Sequence, residues 1–160
     1  MSLPESTPWF ALSLLVVVAD QISKHWVLSA FAVGEVLPLS DFFNLVLVFN
    51  SGAAFSFLAG AGGWQKWFFI VLALLVSVWL VVMIRNSAGQ GATAAAMALV
   101  LGGAIGNVID RLRFGAVADF LDFHLYGWHW PAFNVADAAI TGGVALLLWR
   151  QLFVPEPGEK

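Results

Sequence analysis

The sequence predicts a membrane α-helical fold: four transmembrane helices, with connectors that carry a small β-sheet and a short interfacial helix. Three observations lead there. First, the 160-residue chain is 61% hydrophobic and 11% charged, with a mean hydropathy of +0.88. Soluble domains are about 25% charged, and a compact soluble chain this small has too little interior to hide so much apolar surface. Second, the apolar residues gather in four stretches. Residues 67–84 and 86–109 carry no charge at all, and about 20 apolar residues are needed to cross the hydrocarbon. Third, the unusual polar residues cluster in or beside two long connectors.

In chain order, the spans are expected at about 9–28, 66–85, 90–110 and 136–154, and the whole chain, 1–160, forms one integral membrane domain. The first and fourth spans tolerate an ionised group near one end. Residues 85–91 make a tight, polar turn between two antiparallel helices. The connectors 29–65 and 111–135 are long and lie on the opposite side. In the first of them, 36–48 mixes β-branched, aromatic and Leu residues around Pro38 and Asp41, the pattern of short strands. Residues 53–61 are small and apolar, an interfacial helix closed by Gly60, Gly62 and Gly63. In the second, Val117 to Leu125 alternates as a strand, with Asp119 on the face opposite Phe120, Asp122 and His124. The tail 155–160 is expected to fray. Ala30-Phe31-Ala32 has the look of a signal-peptide cleavage site. However, no Lys or Arg precedes the apolar run, and Asp20 and Lys24 interrupt it, so the first span is read as retained.

Composition excludes other classes. Seven Lys and Arg against ten Asp and Glu argue against a nucleic-acid partner. With no cysteine there is no disulfide, thiolate nucleophile or Cys–zinc site. The three histidines, His25, His124 and His129, are read as interfacial or structural rather than as ligands, so neither metal nor cofactor is expected. Seven of the eight Trp lie near expected span ends and form an aromatic belt. Counting Lys and Arg gives three on the side of the short turn and four on the other. If Lys24 and Arg111 pair internally, the balance becomes three to two, in favour of a cytoplasmic short turn.

All four Glu lie in tails or a loop, whereas Asp20, Asp110 and Asp137 end apolar runs and Asp119 and Asp122 sit in an aromatic-rich connector. Ionised groups are costly at such depth, so short, rigid Asp points to positioning rather than solubility. Asp20 and Lys24 stand four apart in the favourable order for a helix pair, which a structural ion pair explains as readily as a functional one. Ala94, Ala98, Gly102, Gly106 and Asp110 form a stripe of small residues ending in an acid, with Gly103, Asn107 and Arg111 on the adjacent stripe. The small residues permit close helix approach. Asp110 is expected to pair with its neighbour Arg111. Asn50-Ser51-Gly52-Ala53-Ala54-Phe55 is a turn of little bulk, either a plain loop tip or a place where another chain comes close. Asn134 fits the N-cap of the fourth span with Asp137 three residues on, and capping alone accounts for Asp137 as well as catalysis does.

Five motifs occur in order: Asp20-Gln21-x-x-Lys24, Asn50-x-Gly52-Ala53-Ala54-Phe55, Gly102-Gly103-x-x-Gly106-Asn107-x-x-Asp110-Arg111, Val117-Ala118-Asp119-Phe120 and Phe133-Asn134-x-Ala136-Asp137. Together, over about residues 9–154, they closely resemble the bacterial lipoprotein signal peptidases (signal peptidase II), which are intramembrane aspartyl peptidases. No motif position departs from the family pattern. The resemblance implies a multi-pass protein of the bacterial cytoplasmic (inner) membrane with both termini cytoplasmic. The sheet platform and interfacial helix would then be extracytoplasmic. It implies removal of the signal peptide from diacylglyceryl-modified prolipoproteins, just before the lipid-modified cysteine. Asp119 and Asp137 fall on the catalytic pair. Asp20, Lys24, Asn50, Gly52, Gly106, Asn107, Asp110, Arg111, Asn134 and Ala136 fall on surrounding substrate-binding and supporting positions. Membrane lipids and globomycin-like peptide inhibitors are the other implied partners.

Two carboxylates suit such chemistry independently of the family. Peptide hydrolysis without a metal needs a base to activate water and an acid for the leaving amine. A close pair sharing one proton supplies both. Asp122, three residues from Asp119, matches no motif position. A Ser/Lys peptidase using Ser51 or Ser23 with Lys24 is less consistent, because there is no G-x-S-x-G elbow and Asp20 already engages Lys24. A proton-coupled transporter would have more spans and acids spread across the bilayer. A metal-dependent phosphotransferase would have closely spaced Asp ligands.

Overall fold

Residues 4–52 and 62–153 of the computed structural model are described here; the interfacial helix expected at 53–61 and the tail at 155–160 lie outside them. Within them, α1 runs Thr7–Ala30, β1 Val36–Ser40, β2 Phe43–Asn50, α2 Gln65–Asn86, α3 Gly91–Phe114, β3 Val117–Leu125, β4 Trp128–His129 and α4 Val135–Phe153. Among the described residues, three helices, α1, α2 and α3, are long and apolar enough to cross a membrane. The most apolar stretch of α3 is 61% buried, against 28% for α1 and for α2, so α3 is the central helix and the others pack around it.

The small-residue stripes explain that packing. A methyl group at Gly102 would lie 2.6 Å from the Ser13 carbonyl oxygen and 2.7 Å from Val16 Cβ of α1. One position along, Gly103 meets the backbone of Ala136 and the side chain of Ile140 in α4. The contact is reciprocal further down, where Gly143 of α4 faces Ala96 and Val100 of α3. Adjacent stripes of α3 therefore seat two different helices with backbones in close approach. Near the α2–α3 turn a core of Leu80, Ile84, Met97, Ala98 and Leu101 closes the bundle. The Trp9 indole N–H donates to the Ala88 carbonyl, tying the start of α1 to the turn (3.1 Å). α3 continues one turn beyond the expected end at 110. It stops where Gly115 takes a left-handed φ of +80° and its N–H bonds the Arg111 carbonyl, a backbone state that glycine adopts without penalty.

Both long connectors contribute strands, as expected, to one antiparallel arrangement in the order β1-β2-β3-β4. Between β2 and β3, Asn44 pairs with Asp122 and Leu45 with Leu121, but Val48 pairs with Asp119. β2 thus holds one extra residue, and such a bulge twists and re-aims the strand beside it. Val27, Leu47, Ala118 and Phe120 form the core beneath the sheet. That core fixes the sheet over the ends of α1 and α3, the end of the bundle where the acidic residues lie.

Candidate active site

The site is assembled from the ends of three helices and one strand. In α1, Asp20 and Lys24 lie one turn apart on the buried face. In α3, one turn separates Gly106 from Asp110 and Asn107 from Arg111. In α4 the first turn carries Ala136 and Asp137 directly after Asn134, and β3 delivers Asp119 from above.

Lys24 is the hub. Its ammonium contacts Asp20 Oδ2 at 2.8 Å, Asp110 Oδ2 at 2.8 Å and Asn107 Oδ1 at 3.1 Å, and it is 2% exposed. The expected Asp20–Lys24 pair is therefore present, but as part of a triad. The expected Asp110–Arg111 pair is not formed. Successive side chains on a helix point about 100° apart, so Asp110 turns toward α1 while Arg111 turns toward the connector. Asp110 also accepts from the backbone N–H of Ala118 (3.1 Å), anchoring β3 to the cluster. Asp20 Oδ1 accepts from the Ala136 N–H at 2.9 Å. That N–H is one of the donors a helix N-terminus leaves unpaired, so a charge on α1 caps α4. Gly106 makes room for this: a methyl there would stand 2.6 Å from Asp20 Oδ2.

Two asparagines hold the two remaining acids. Asn107 Nδ2 donates to Asp137 Oδ1 at 2.7 Å, and Asn134 Nδ2 donates to Asp119 Oδ1 at 2.6 Å. Asn134 is also the N-cap anticipated for the fourth helix, its Oδ1 accepting from the Asp137 N–H at 2.9 Å. One side chain thus sets the helix start and positions both acids. Asn50 hydrogen-bonds Asp119 and, through Oδ1, closes its own turn on the Gly52 N–H (3.0 Å). Arg111 donates to the Gly52 carbonyl at 3.0 Å and lies 5.1 Å over the Phe69 ring, so it holds the Asn50–Gly52 turn against α2 and α3.

Asp119 and Asp137 open onto one cavity of about 700 Å³, with Asn50, Gly52, Asn107 and Arg111. Its other walls are apolar: Leu72 and Val76 of α2, Val100 of α3, Ile140 of α4, and Trp130 to Phe133 beside β4. Burial first, and then the charge of Asp137, push the Asp119 carboxyl up to about 7, against the opposing pull of Asn134, Asn50 and Lys24. Asp119 thus ionises near neutrality, where a carboxyl can both give and take a proton. Asp122 faces elsewhere. It accepts from Asn44 Nδ2 (2.8 Å) and both its oxygens meet His129 Nδ1 (2.9 and 3.0 Å). Burial alone would raise its carboxyl, but these bonds outweigh burial and hold it below the ordinary range.

Every site residue singled out in the sequence lies in this network. Gln21 is the participant the sequence reading passed over. Its amide donates to Asp20 (3.2 Å) and Asp110 (3.0 Å), bridging the two acids of the triad; its place beside Asp20 in the first motif was the available signal. Phe69 was also missed, because an aromatic inside an apolar span carries no local mark. Ser23 donates to the Asp20 carbonyl (2.8 Å) and Lys24 is fully engaged, an arrangement unsuited to a Ser/Lys couple.

Comparison with known proteins shows what the chain resembles. A family model described as signal peptidase (SPase) II matches residues 12–153. A lipoprotein signal peptidase of Ralstonia nicotianae is 53% identical over 145 residues, covering 91% of this chain and 84% of that one. One from an Azoarcus species is 54% identical over 145 residues, 91% and 82%. A bacterial membrane enzyme solved by the in meso method at 2.3 Å superposes with a TM-score of 0.82 at 28% identity, covering 96% of this chain and 94% of that one. The family match takes in every helix and strand that bears on the cavity, and on that evidence the chain belongs to the signal peptidase II family.

Proposed function

We propose that the protein is an aspartyl endopeptidase in which Asp119 and Asp137 share one proton and act on the scissile peptide bond of a prolipoprotein. Removal of prolipoprotein signal peptides is the activity of the family to which the chain belongs. The observation that carries the aspartyl reading is the pairing of two acids on one cavity, each held by its own asparagine amide. Two carboxyls so placed cannot easily ionise together. The ionised member draws a proton from water as it attacks the carbonyl carbon. The protonated member hydrogen-bonds the carbonyl oxygen and then passes its proton to the leaving amine. The fixed amides of Asn107 and Asn134 keep the acids oriented, and Lys24 supplies a nearby positive charge that no catalytic step consumes.

On this reading all four helices, α4 included, span the bacterial inner membrane, with the sheet and the cavity mouth on the extracytoplasmic side and both termini cytoplasmic. The apolar cavity walls take the signal peptide and the lipid of the modified cysteine, and a globomycin-like peptide would compete there. Asp20, Gly106, Asp110 and Ala136 build the frame that holds α1, α3 and α4 together. Asn50, Gly52 and Arg111 line the substrate side.

The test is incubation of purified protein with a diacylglyceryl-modified precursor peptide, the same peptide without lipid, and EDTA, followed by mass determination of the products. One cut immediately before the modified cysteine, unaffected by EDTA and very poor without the lipid, is expected. Each buried CH₂ contributes about 0.8 kcal/mol to holding the bond at interface depth. Loss of cleavage in EDTA, or equal turnover of both peptides, would overturn the reading.

A further inference from the structure

A second recess lies on the other side of α2 from the catalytic cavity, between α1, α2 and α3. Its walls include Leu14 and Val17 of α1 and Leu74, Val78 and Val82 of α2, and at its end, near the α2–α3 turn, stands Arg85. The two hydroxyls within it are turned into backbone: Ser13 donates to the Ala98 carbonyl (2.9 Å) and Ser77 to the Ala73 carbonyl (2.7 Å). The groove therefore presents hydrocarbon along its length and a cation at its mouth. Arg85 is exposed and makes no ion pair or hydrogen bond with any described residue.

From these observations we infer that the groove is a site for an anionic phospholipid of the leaflet on the side of the α2–α3 turn, its phosphate on Arg85 and one acyl chain between α1 and α2. Depth supports this occupant. Residues 74 to 85 of a helix rise about 16 Å, roughly half of a hydrocarbon core of about 30 Å, which is one leaflet. A chain entering at Arg85 would end near the bilayer midplane, where the groove also ends. The cation at the mouth distinguishes the proposal from plain hydrocarbon contact, since no acid among the described residues pairs with it. A helix of another protein, or a second copy of this chain, is the alternative occupant of the same apolar walls, and the lipid titration separates it from a phospholipid. The site is independent of the catalytic reading, because α2 separates the two cavities.

The test is to titrate the detergent-purified protein with phosphatidylglycerol, and separately with phosphatidylcholine of the same acyl chains, and to count bound lipid by native mass spectrometry. Phosphatidylglycerol is expected to be retained about fivefold more tightly, the effect of one basic side chain at a lipid surface. Arg85→Gln should erase that preference and Arg85→Lys keep most of it. Val78→Trp should lower the occupancy of both lipids by filling the groove. Equal binding of the two lipids by the unaltered protein, a preference that survives Arg85→Gln, or a dimer that added lipid does not dissociate would each overturn the proposal.

Discussion

At the scale of single residues, the acids of this chain divide by what their oxygens touch. Asp20 and Asp110 are committed to Lys24 and to backbone N–H groups, whereas Asp119 and Asp137 each keep a face on the cavity. Asn is nearly isosteric with Asp and cannot serve as a base. Asp119→Asn and Asp137→Asn should therefore each lower cleavage by at least 10²–10⁴-fold while leaving a folded protein, read in one assay at equal protein concentration. Asp122→Asn, whose carboxylate is turned to Asn44 and His129, should stay within about tenfold of the parent in that assay, since only loss of a proton-transferring group carries the larger cost. The pH dependence follows from Asp119. Its carboxyl in the folded protein ionises near 7, above the ordinary carboxylate value of about 3.9, so the folded state holds that proton more tightly than the unfolded chain does. The resulting stabilisation is complete below the ordinary value and is lost as pH rises through about 7. Thermal unfolding in detergent should move to lower temperature between pH 5 and pH 8.5, and Asp119→Asn should flatten that dependence. Cleavage should decline over the same upper range as the pair gives up its shared proton.

At the scale of elements, the decisive feature is how closely α3 approaches its neighbours. Gly102→Ala places a methyl 2.6 Å from the Ser13 carbonyl oxygen, and neither backbone can yield without separating α1 from α3. A loss of about 1–3 kcal/mol is expected from such overpacking, measured as a lower unfolding temperature. Cleavage should fall with it, because Lys24 on α1 reaches Asn107 and Asp110 on α3 only across that contact. Asn134→Ala should act twice. It removes an N-cap worth about 1 kcal/mol, and it also frees Asp119 from its amide partner, so activity should drop by more than stability alone explains. Asn134→Asp, which can still cap, should restore more of the stability than of the activity.

At the scale of the whole molecule, the acid cluster and the sheet lie at one end and the short α2–α3 turn at the other. The proposed topology puts the first outside and the second in the cytoplasm. The chain has no cysteine, so single introduced cysteines report sidedness without interference. Position 126, at the fully exposed tip between β3 and β4, should be labelled in intact cells by an impermeant thiol reagent. Position 89, in the α2–α3 turn, should be labelled only after lysis. The reverse pattern would invert the assignment.

The sequence by itself determined the features that depend on local periodicity. Runs of apolar residues marked the helices, alternation marked β3, and steps of four placed Gly102, Gly106 and Asp110 on one stripe and Gly103, Asn107 and Arg111 on the next. The cap at Asn134 was legible for the same reason, since donor and acceptor lie three residues apart. Which stripe meets which helix was decided only in three dimensions. Asp20 caps α4 through Ala136, 116 residues away, and Asp110 chooses Lys24 over its neighbour Arg111. The bulge that sets Asp119 opposite Val48 depends on the register between β2 and β3. Periodicity fixes the direction of a side chain relative to its own helix or strand. Its partner depends on helix packing and strand register, which arise from close-packed contacts between distant parts of the chain.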